Sequence, residues 1–346
     1  MRMLIAGMLL EALSLVLLSQ VSQFWQMYAL RAAIGVGKVL CAVTLPYWVS
    51  RWFARQYSLA LGVTWAGWHV GGLVLAVPAS VVIANYGWRT ACLAIAAGLV
   101  TVGLLPILLT QRYRTPADCG LGLDGAALAD GSKDESTLRV SQRRDTPQGS
   151  LGMLLRAPIF WWVALMSLFF FVTYGGLLAH EAAVVEGAGF SPKLSAVVLG
   201  STAGFAAIGC LTVGWLLDRY SVRSVGFALH LLLLVGALSL LMVATSHATA
   251  ALITYAVCFG ITIGGGDLYF VAIFRRRFPD VSVAYSYSAW YFCQILSLLI
   301  SGPLAGYVYD RTGQYDRALK MLCGCAFMSL CMSWPMLRKR IFAQTG

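Results

Sequence analysis

The chain has 346 residues, 59% of them hydrophobic and only 11% charged, with a mean hydropathy of +0.77. A soluble domain carries roughly a quarter of its residues as charges, so composition excludes an ordinary water-soluble globule. The net charge of +11 raises the question of nucleic acid, but the cations sit between apolar blocks rather than on one face, which excludes that partner.

Ten apolar blocks follow one another, at 3–20, 26–50, 57–83, 88–110, 158–180, 194–217, 226–245, 248–274, 282–308 and 318–337. About 20 apolar residues span a bilayer core as a helix, so the expected class is an all-α polytopic membrane protein. The first block opens like a signal peptide, with Arg2 before an apolar run, but Glu11 interrupts it and no small-residue cleavage site follows. It reads as a transmembrane helix. The second block carries Arg31 and Lys38, seven apart and so on one helix face. The third contains VTWAGWHVGG at 63–72, with Trp65 and His69 one turn apart. ANYGWR, at 84–89, breaks the chain before the fourth block.

Residues 111–157 combine acids and bases with Pro116 and Pro147 and read as a flexible cytoplasmic linker. Six blocks follow, punctuated by DRYSVR, SHAT, RRRFPD and DRTGQYDR. The eighth block places Gly264, Gly265 and Gly266 directly before Asp267. With residue 1 in the cytoplasm and ten crossings, 18 of the 25 Lys and Arg fall on the cytoplasmic side, Arg338, Lys339 and Arg340 among them. This is the positive-inside bias; it places both termini in the cytoplasm. Trp25, Trp48, Trp52, Trp88, Trp161 and Trp162 fall near the expected interfaces, as an aromatic belt does.

Shifting the chain by 225 positions superposes Arg51 on Arg276, Phe53 on Phe278, Trp65 on Trp290, Pro78 on Pro303 and Gly35 on Gly260. Two parallel halves are a known transporter plan, with the substrate site near the midplane. The second half, 158–346, has six blocks and the first, 1–110, has four, so the first two helices of a twelve-helix plan are expected upstream of Met1. Their absence reads as a truncation or a mis-assigned start.

An ionisable group inside the membrane is a functional hypothesis by default. Lys38 and Arg31 give a cavity a positive wall suited to a carboxylate. The repeat maps His69 onto Gln294, so Trp65 with His69 and Trp290 with Gln294 form two matching pairs of a polar group and an aromatic one turn apart. Such pairs suit a small-anion cavity, or they join helices by hydrogen bonds across the interface. Asp267 reads as a proton site, a counter-ion to Lys38 or a packing acid; the role of Glu11 is left open. The nine cysteines are scattered without ligand spacing. With no nucleophile–base set and no phosphate-cradling loop either, neither an enzyme nor a metal or cofactor is expected.

GWLLDRYSVRS, at 214–224, resembles the loop signature of the major facilitator superfamily, with Gly214, Asp218, Arg219 and Arg223 in the matching places. RAAIGVG at 31–37 is similar to that superfamily's fourth-helix motif. RWFARQYSLALGVTWAGWHVGG, TPADCGLGLDG and GPLAGYVYDRTGQYDRA look like its monocarboxylate and oxalate–formate branch. The resemblance implies a two-half helical bundle working by alternating access, a proton-coupling role for Arg31, and a conformational gate at Asp218, where Arg219 and Arg223 are positioned to pair. The branch commonly carries an Arg in the eighth helix, or a Lys in the eleventh for oxalate. Blocks 194–217 and 282–308 hold neither, which argues against a doubly charged substrate.

The expected function is secondary transport of a small organic anion, a monocarboxylate first, by proton symport or exchange, in a monomer of the plasma membrane. Proton-coupled efflux of drugs or metabolites on the same fold is the alternative. A truncated, non-transporting sensor or partner protein is the reading from another class.

Overall fold

The structure, a computed structural model, describes residues 2–110, 113, 115–126, 151–278, 281 and 283–337. The middle of the linker, 127–150, and the basic end at Arg338, Lys339 and Arg340 lie outside the described residues. The long elements are all helices: α1 (Arg2–Leu18), α2 (Phe24–Trp52), α3 (Tyr57–Gly98), α4 (Leu105–Thr110), α5 (Leu151–Arg156), α6 (Pro158–Gly187), α7 (Pro192–Arg219), α8 (Val222–Ser246), α9 (Thr249–Arg277), α10 (Val283–Thr312) and α11 (Tyr315–Leu337). Among the described residues, nine helical segments are long and apolar enough to cross a membrane; α1, with 17 residues, is slightly shorter.

The boundaries follow local chemistry. A straight α3 of 42 residues would run about 63 Å, twice what a bilayer core needs. Gly87, at φ 81° and ψ 164°, breaks it within ANYGWR, in a backbone conformation that favours glycine. Ser191 and Ser221 cap α7 and α8 by accepting from the backbone N–H of Leu194 (3.2 Å) and Ser224 (3.1 Å). Arg275, Arg276 and Arg277 close α9, where cations complement the helix dipole.

The residues group into two compact units. The first is Met1–Tyr57 with Val74–Thr146, and the second is Ser58–Leu73 with Pro147–Gly346. Residues 58–73, read from the sequence with the first half, thus group with the second unit. The reason is a backbone crossing. A Cβ on Gly214 would lie 2.7 Å from the Ser58 carbonyl oxygen, and one on Gly62 would run into the Cys210 carbonyl.

In the first unit, α1 and α2 cross at a pair of glycines. A Cβ on Gly7 would sit 2.7 Å from the Gly37 carbonyl, and one on Gly37 2.8 Å from that of Gly7. Leu4, Met8 and Leu104 form a buried cluster beside this crossing. In the second unit, α7 and α9 cross in the same way. A Cβ on Gly209 would lie 2.6 Å from the Ile261 carbonyl and one on Gly260 2.7 Å from that of Thr202, while Gly264 faces the Ala206 carbonyl. Lipid supplies no hydrophobic drive between helices, so close backbone approach through small residues does the joining. Gly264→Leu should therefore destabilise the second unit by at least the about 1–3 kcal/mol typical of overpacking. A fall in the midpoint of thermal aggregation of the purified protein measures it; an unchanged midpoint would show that the crossing is loose.

Candidate functional site

In the first unit the intramembrane charges gather on α1 and α2. The α1–α2 crossing brings Glu11 beside the backbone of α2: a Cβ on Gly37 would stand 2.6 Å from the Glu11 Cγ. Lys38 follows in sequence, and its charge lies within electrostatic reach of the half-buried Glu11 carboxyl. Lys38 thus has an acid facing it within its own unit. Arg31, two turns earlier on α2, is exposed. Cys41, one turn after Gly37, points its sulfur toward the Leu4 carbonyl at 3.8 Å.

In the second unit the polar centre is Asp267. The glycines before it let α9 lie against three neighbours at once: Gly264 faces the Ala206 backbone, Gly265 the side chains of Val213 and Leu229, and Gly266 the ring of Phe170. Asp267 comes out half-buried, its Oδ1 accepting a hydrogen bond from Gln294 Nε2 of α10 at 2.6 Å. Gln294 is 4% exposed, and its Oε1 is buried with no hydrogen-bond partner. The half-buried hydroxyls of Tyr174 (α6) and Tyr291 (α10) lie within electrostatic reach of the Asp267 carboxyl, as does the buried thiol of Cys210. A carboxylate is an acceptor only, an amide oxygen is a free acceptor, and two phenols can do either. This group can hold a proton, or orient a polar ligand through it.

The two repeat-related pairs have unlike surroundings. Trp290 is 0% exposed. Its indole N–H donates to Ser167 Oγ of α6 at 2.9 Å, and its ring stacks on Phe270, centroids 5.6 Å apart and planes 16° apart. It packs in the core of the unit and holds α10 against α6. Trp65 and His69, in the stretch of α3 that groups with this unit, are both half-buried. Among the described residues, nothing hydrogen-bonds the His69 ring. The structure therefore joins Gln294 to Asp267 and Trp290 to Ser167, and leaves the His69 nitrogens open.

The loop motif is built differently from an ion pair. Asp218, near the end of α7, accepts from the backbone N–H groups of Ser58 (3.0 Å) and Leu59 (2.8 Å), in the first turn of α3. Gln56, at the N-cap of that helix, makes no side-chain cap bond, so Asp218 does the capping from another helix. Gly214, one turn earlier, provides the room. Arg219 lies over the Trp215 ring, 4.6 Å from its centroid, and Arg276 donates to the Leu217 carbonyl at 2.6 Å. In the first unit Asp124 plays a matching part, accepting from the N–H groups of Ala54 (3.0 Å), Arg55 (3.0 Å) and Gln56 (3.4 Å).

Asp124 and Glu181 carry polar structure that the sequence reading passed over. The apolar block ends at 180, whereas α6 continues to Gly187 and takes in Glu181. In AHEAAVVEG the first of the two acids is the signal that points to it.

Comparison with known proteins follows the same lines. The sequence profile of the Major Facilitator Superfamily matches residues 1–295. Monocarboxylate transporter 12 of Homo sapiens is 24% identical, over 97% of this chain and 67% of its own length. An MFS-type transporter of Gibberella moniliformis is 25% identical, over 93% of this chain and 72% of its own. Among solved structures, a proton:xylose symporter bound to 6-bromo-6-deoxy-D-glucose superposes with a TM-score of 0.75 at 12% identity, over 97% of this chain and 80% of that one. The E. coli fucose:proton symporter does so with a TM-score of 0.67 at 17% identity, over 99% and 84%. At such identities the structural matches speak for the fold alone.

Proposed function

The chain belongs to the Major Facilitator Superfamily, a family of transporters rather than enzymes, and from that premise we propose that it moves a small monocarboxylate across the membrane by alternating access, with a proton as the coupled ion or a second anion in exchange. The observation that carries this reading is His69, a half-buried imidazole in a membrane-spanning helix, whose ring nitrogens no described residue hydrogen-bonds. An imidazole always keeps at least one N–H to donate, and a carboxylate is the acceptor that gives the stronger, charge-assisted bond. Within the first unit Arg31 carries an exposed positive charge, while Lys38 has the Glu11 carboxyl within electrostatic reach. Asp267, with Gln294, supplies the group for the proton. The relatives named as monocarboxylate transporters support the substrate class.

The excess of Lys and Arg in the segments assigned to the cytoplasm supports a plasma-membrane protein with both termini inside. We take the working unit to be a monomer.

The test is uptake by proteoliposomes of radiolabelled acetate, pyruvate and benzoate, with matched amounts of wild type and His69→Ala. The variant should take up the preferred anion about tenfold more slowly, the loss of about 1.4 kcal/mol that one ligand hydrogen bond contributes. Equal rates would remove His69 from the site. A wild type that moves none of the three anions under any gradient would remove the substrate class.

A further inference from the structure

Glu181 of α6 is 0% exposed, and the polar centre around Asp267 makes no use of it. Its Oε1 lies 2.9 Å from the Thr202 hydroxyl of α7. That same hydroxyl lies 3.0 Å from the carbonyl of Val198, one turn back on its own helix. A threonine hydroxyl has one hydrogen, so it cannot donate in both directions. The Val198 carbonyl can only accept. When Thr202 donates to it, the hydrogen between Thr202 and Glu181 has to come from the carboxyl, which is then the neutral acid. The other oxygen, Oε2, and the buried hydroxyl of Tyr255 on α9 make no hydrogen bond of ordinary length, but the two groups lie near enough for Tyr255 to be the next hydrogen-bond partner of Glu181. A fully buried carboxylate whose second oxygen has no more than a long approach from Tyr255 is disfavoured as the ion.

We propose that Glu181 is a proton-binding site of the second unit, neutral in this conformation through its bond to Thr202, and able to release the proton when Thr202 and Tyr255 turn their hydroxyls onto the carboxylate. Each protonation state then has its own set of hydrogen bonds: carboxyl to Thr202 and Thr202 to Val198 in one, Thr202 and Tyr255 to the carboxylate in the other. The proton passes to water, and no further reactant is needed. Among the other titratable groups at this end of α6, Glu186 and Lys193 are exposed and the histidines have partners of their own. His180 Nε2 meets the Gly302 carbonyl of α10 at 3.1 Å and its ring lies against Tyr315 of α11. His247, at the end of α8, bonds the Ala188 carbonyl at 2.7 Å. From α7, Ser195 contacts the Ala182 carbonyl at 3.4 Å. The link to transport rests on the proton-coupled reading above; the protonation itself does not.

Infrared spectroscopy of the full chain in lipid, with the glutamate side-chain carboxyl carbons isotopically labelled, tests it directly. A carboxylic-acid C=O band should be present at neutral pH, bleach reversibly as the medium is made alkaline, vanish in Glu181→Gln and shift in Thr202→Val. A band unmoved in both variants, or one that never bleaches, overturns the proposal. Should Glu181→Gln fail to fold, Thr202→Val and Tyr255→Phe decide on the same reading: a shifted band supports the site and an unmoved one overturns it. In proteoliposomes, Glu181→Gln should keep anion exchange and lose its stimulation by a pH gradient; stimulation retained would overturn the link to transport. A wild type inactive toward every anion tested, but with the band intact, would sink the transport reading and leave the proton site standing.

Discussion

Asp267→Asn is expected to abolish accumulation of the transported anion driven by a pH gradient while leaving exchange of anion for anion in place. The substitution is nearly isosteric. Asparagine offers its own Oδ1 where Asp267 Oδ1 now accepts from Gln294 Nε2 at 2.6 Å, so the α9–α10 contact survives. What is lost is a group that can carry a proton. Asp267 is half-buried, whereas Glu181 and Trp290 are fully buried. Gradient-driven uptake should fall by about two orders of magnitude, equivalent to about 2.7 kcal/mol in the driven step. Gln294→Ala removes only the donor and should cost about one hydrogen bond, roughly tenfold. The measurement is initial uptake into proteoliposomes with and without an imposed pH gradient, beside counterflow at equal pH. Gradient-driven uptake at wild-type rates in Asp267→Asn would take the proton role away from this residue.

Why Asp267 was legible in the sequence and its surroundings were not is a matter of distance along the chain. An acid after three glycines inside an apolar block is conspicuous wherever it points, and the glycines themselves announce a close helix crossing. The break at ANYGWR was equally plain, because Gly87 is where a helix too long for the bilayer has to turn. Side-chain partners are another matter. Trp290 looked like half of a symmetric pair with Trp65, yet its environment is set by Ser167 and Phe270, on other helices. Glu11 had no reading from its own block, because what gives it one is Gly37, which brings α2 close enough for Lys38 to face it. The grouping of residues 58–73 with the second unit depends likewise on Gly62 meeting the Cys210 backbone. Periodicity and block length locate helices; which faces meet is decided by small residues at crossings, and a single sequence does not say which glycine finds which carbonyl.

The loop motif shows the same limit and leads to the other large effect. Its residues were recognisable, and an ion pair between Asp218 and its neighbouring arginines was the natural expectation. In the structure the Asp218 carboxylate takes two backbone N–H groups from the first turn of α3, at 3.0 and 2.8 Å. The first N–H groups of a helix have no partner within it, and that end carries the positive pole of the helix dipole, so a bidentate carboxylate is the natural complement. Each such charge-assisted bond contributes about 1.5–3 kcal/mol, and both are lost together when Asp218 goes. Asp218→Ala should therefore shift the balance between the state that has this contact and any state that lacks it by about 3 kcal/mol, or about a hundredfold in population. Asp218→Asn keeps one acceptor oxygen but turns an NH2 toward the second N–H, and should fall between. Ser58 is buried under this contact and reports on it directly. In a background without the native cysteines, Ser58→Cys should react slowly with a membrane-impermeant maleimide when Asp218 is intact, and about a hundredfold faster with Asp218→Ala, since the rate follows the population of the open state. Transport should fall in the same order, Ala below Asn below wild type, because alternating access needs both states populated. Equal labelling rates in all three backgrounds would mean that the contact does not govern opening at this end of α7, and the motif would then be a local helix cap and nothing more.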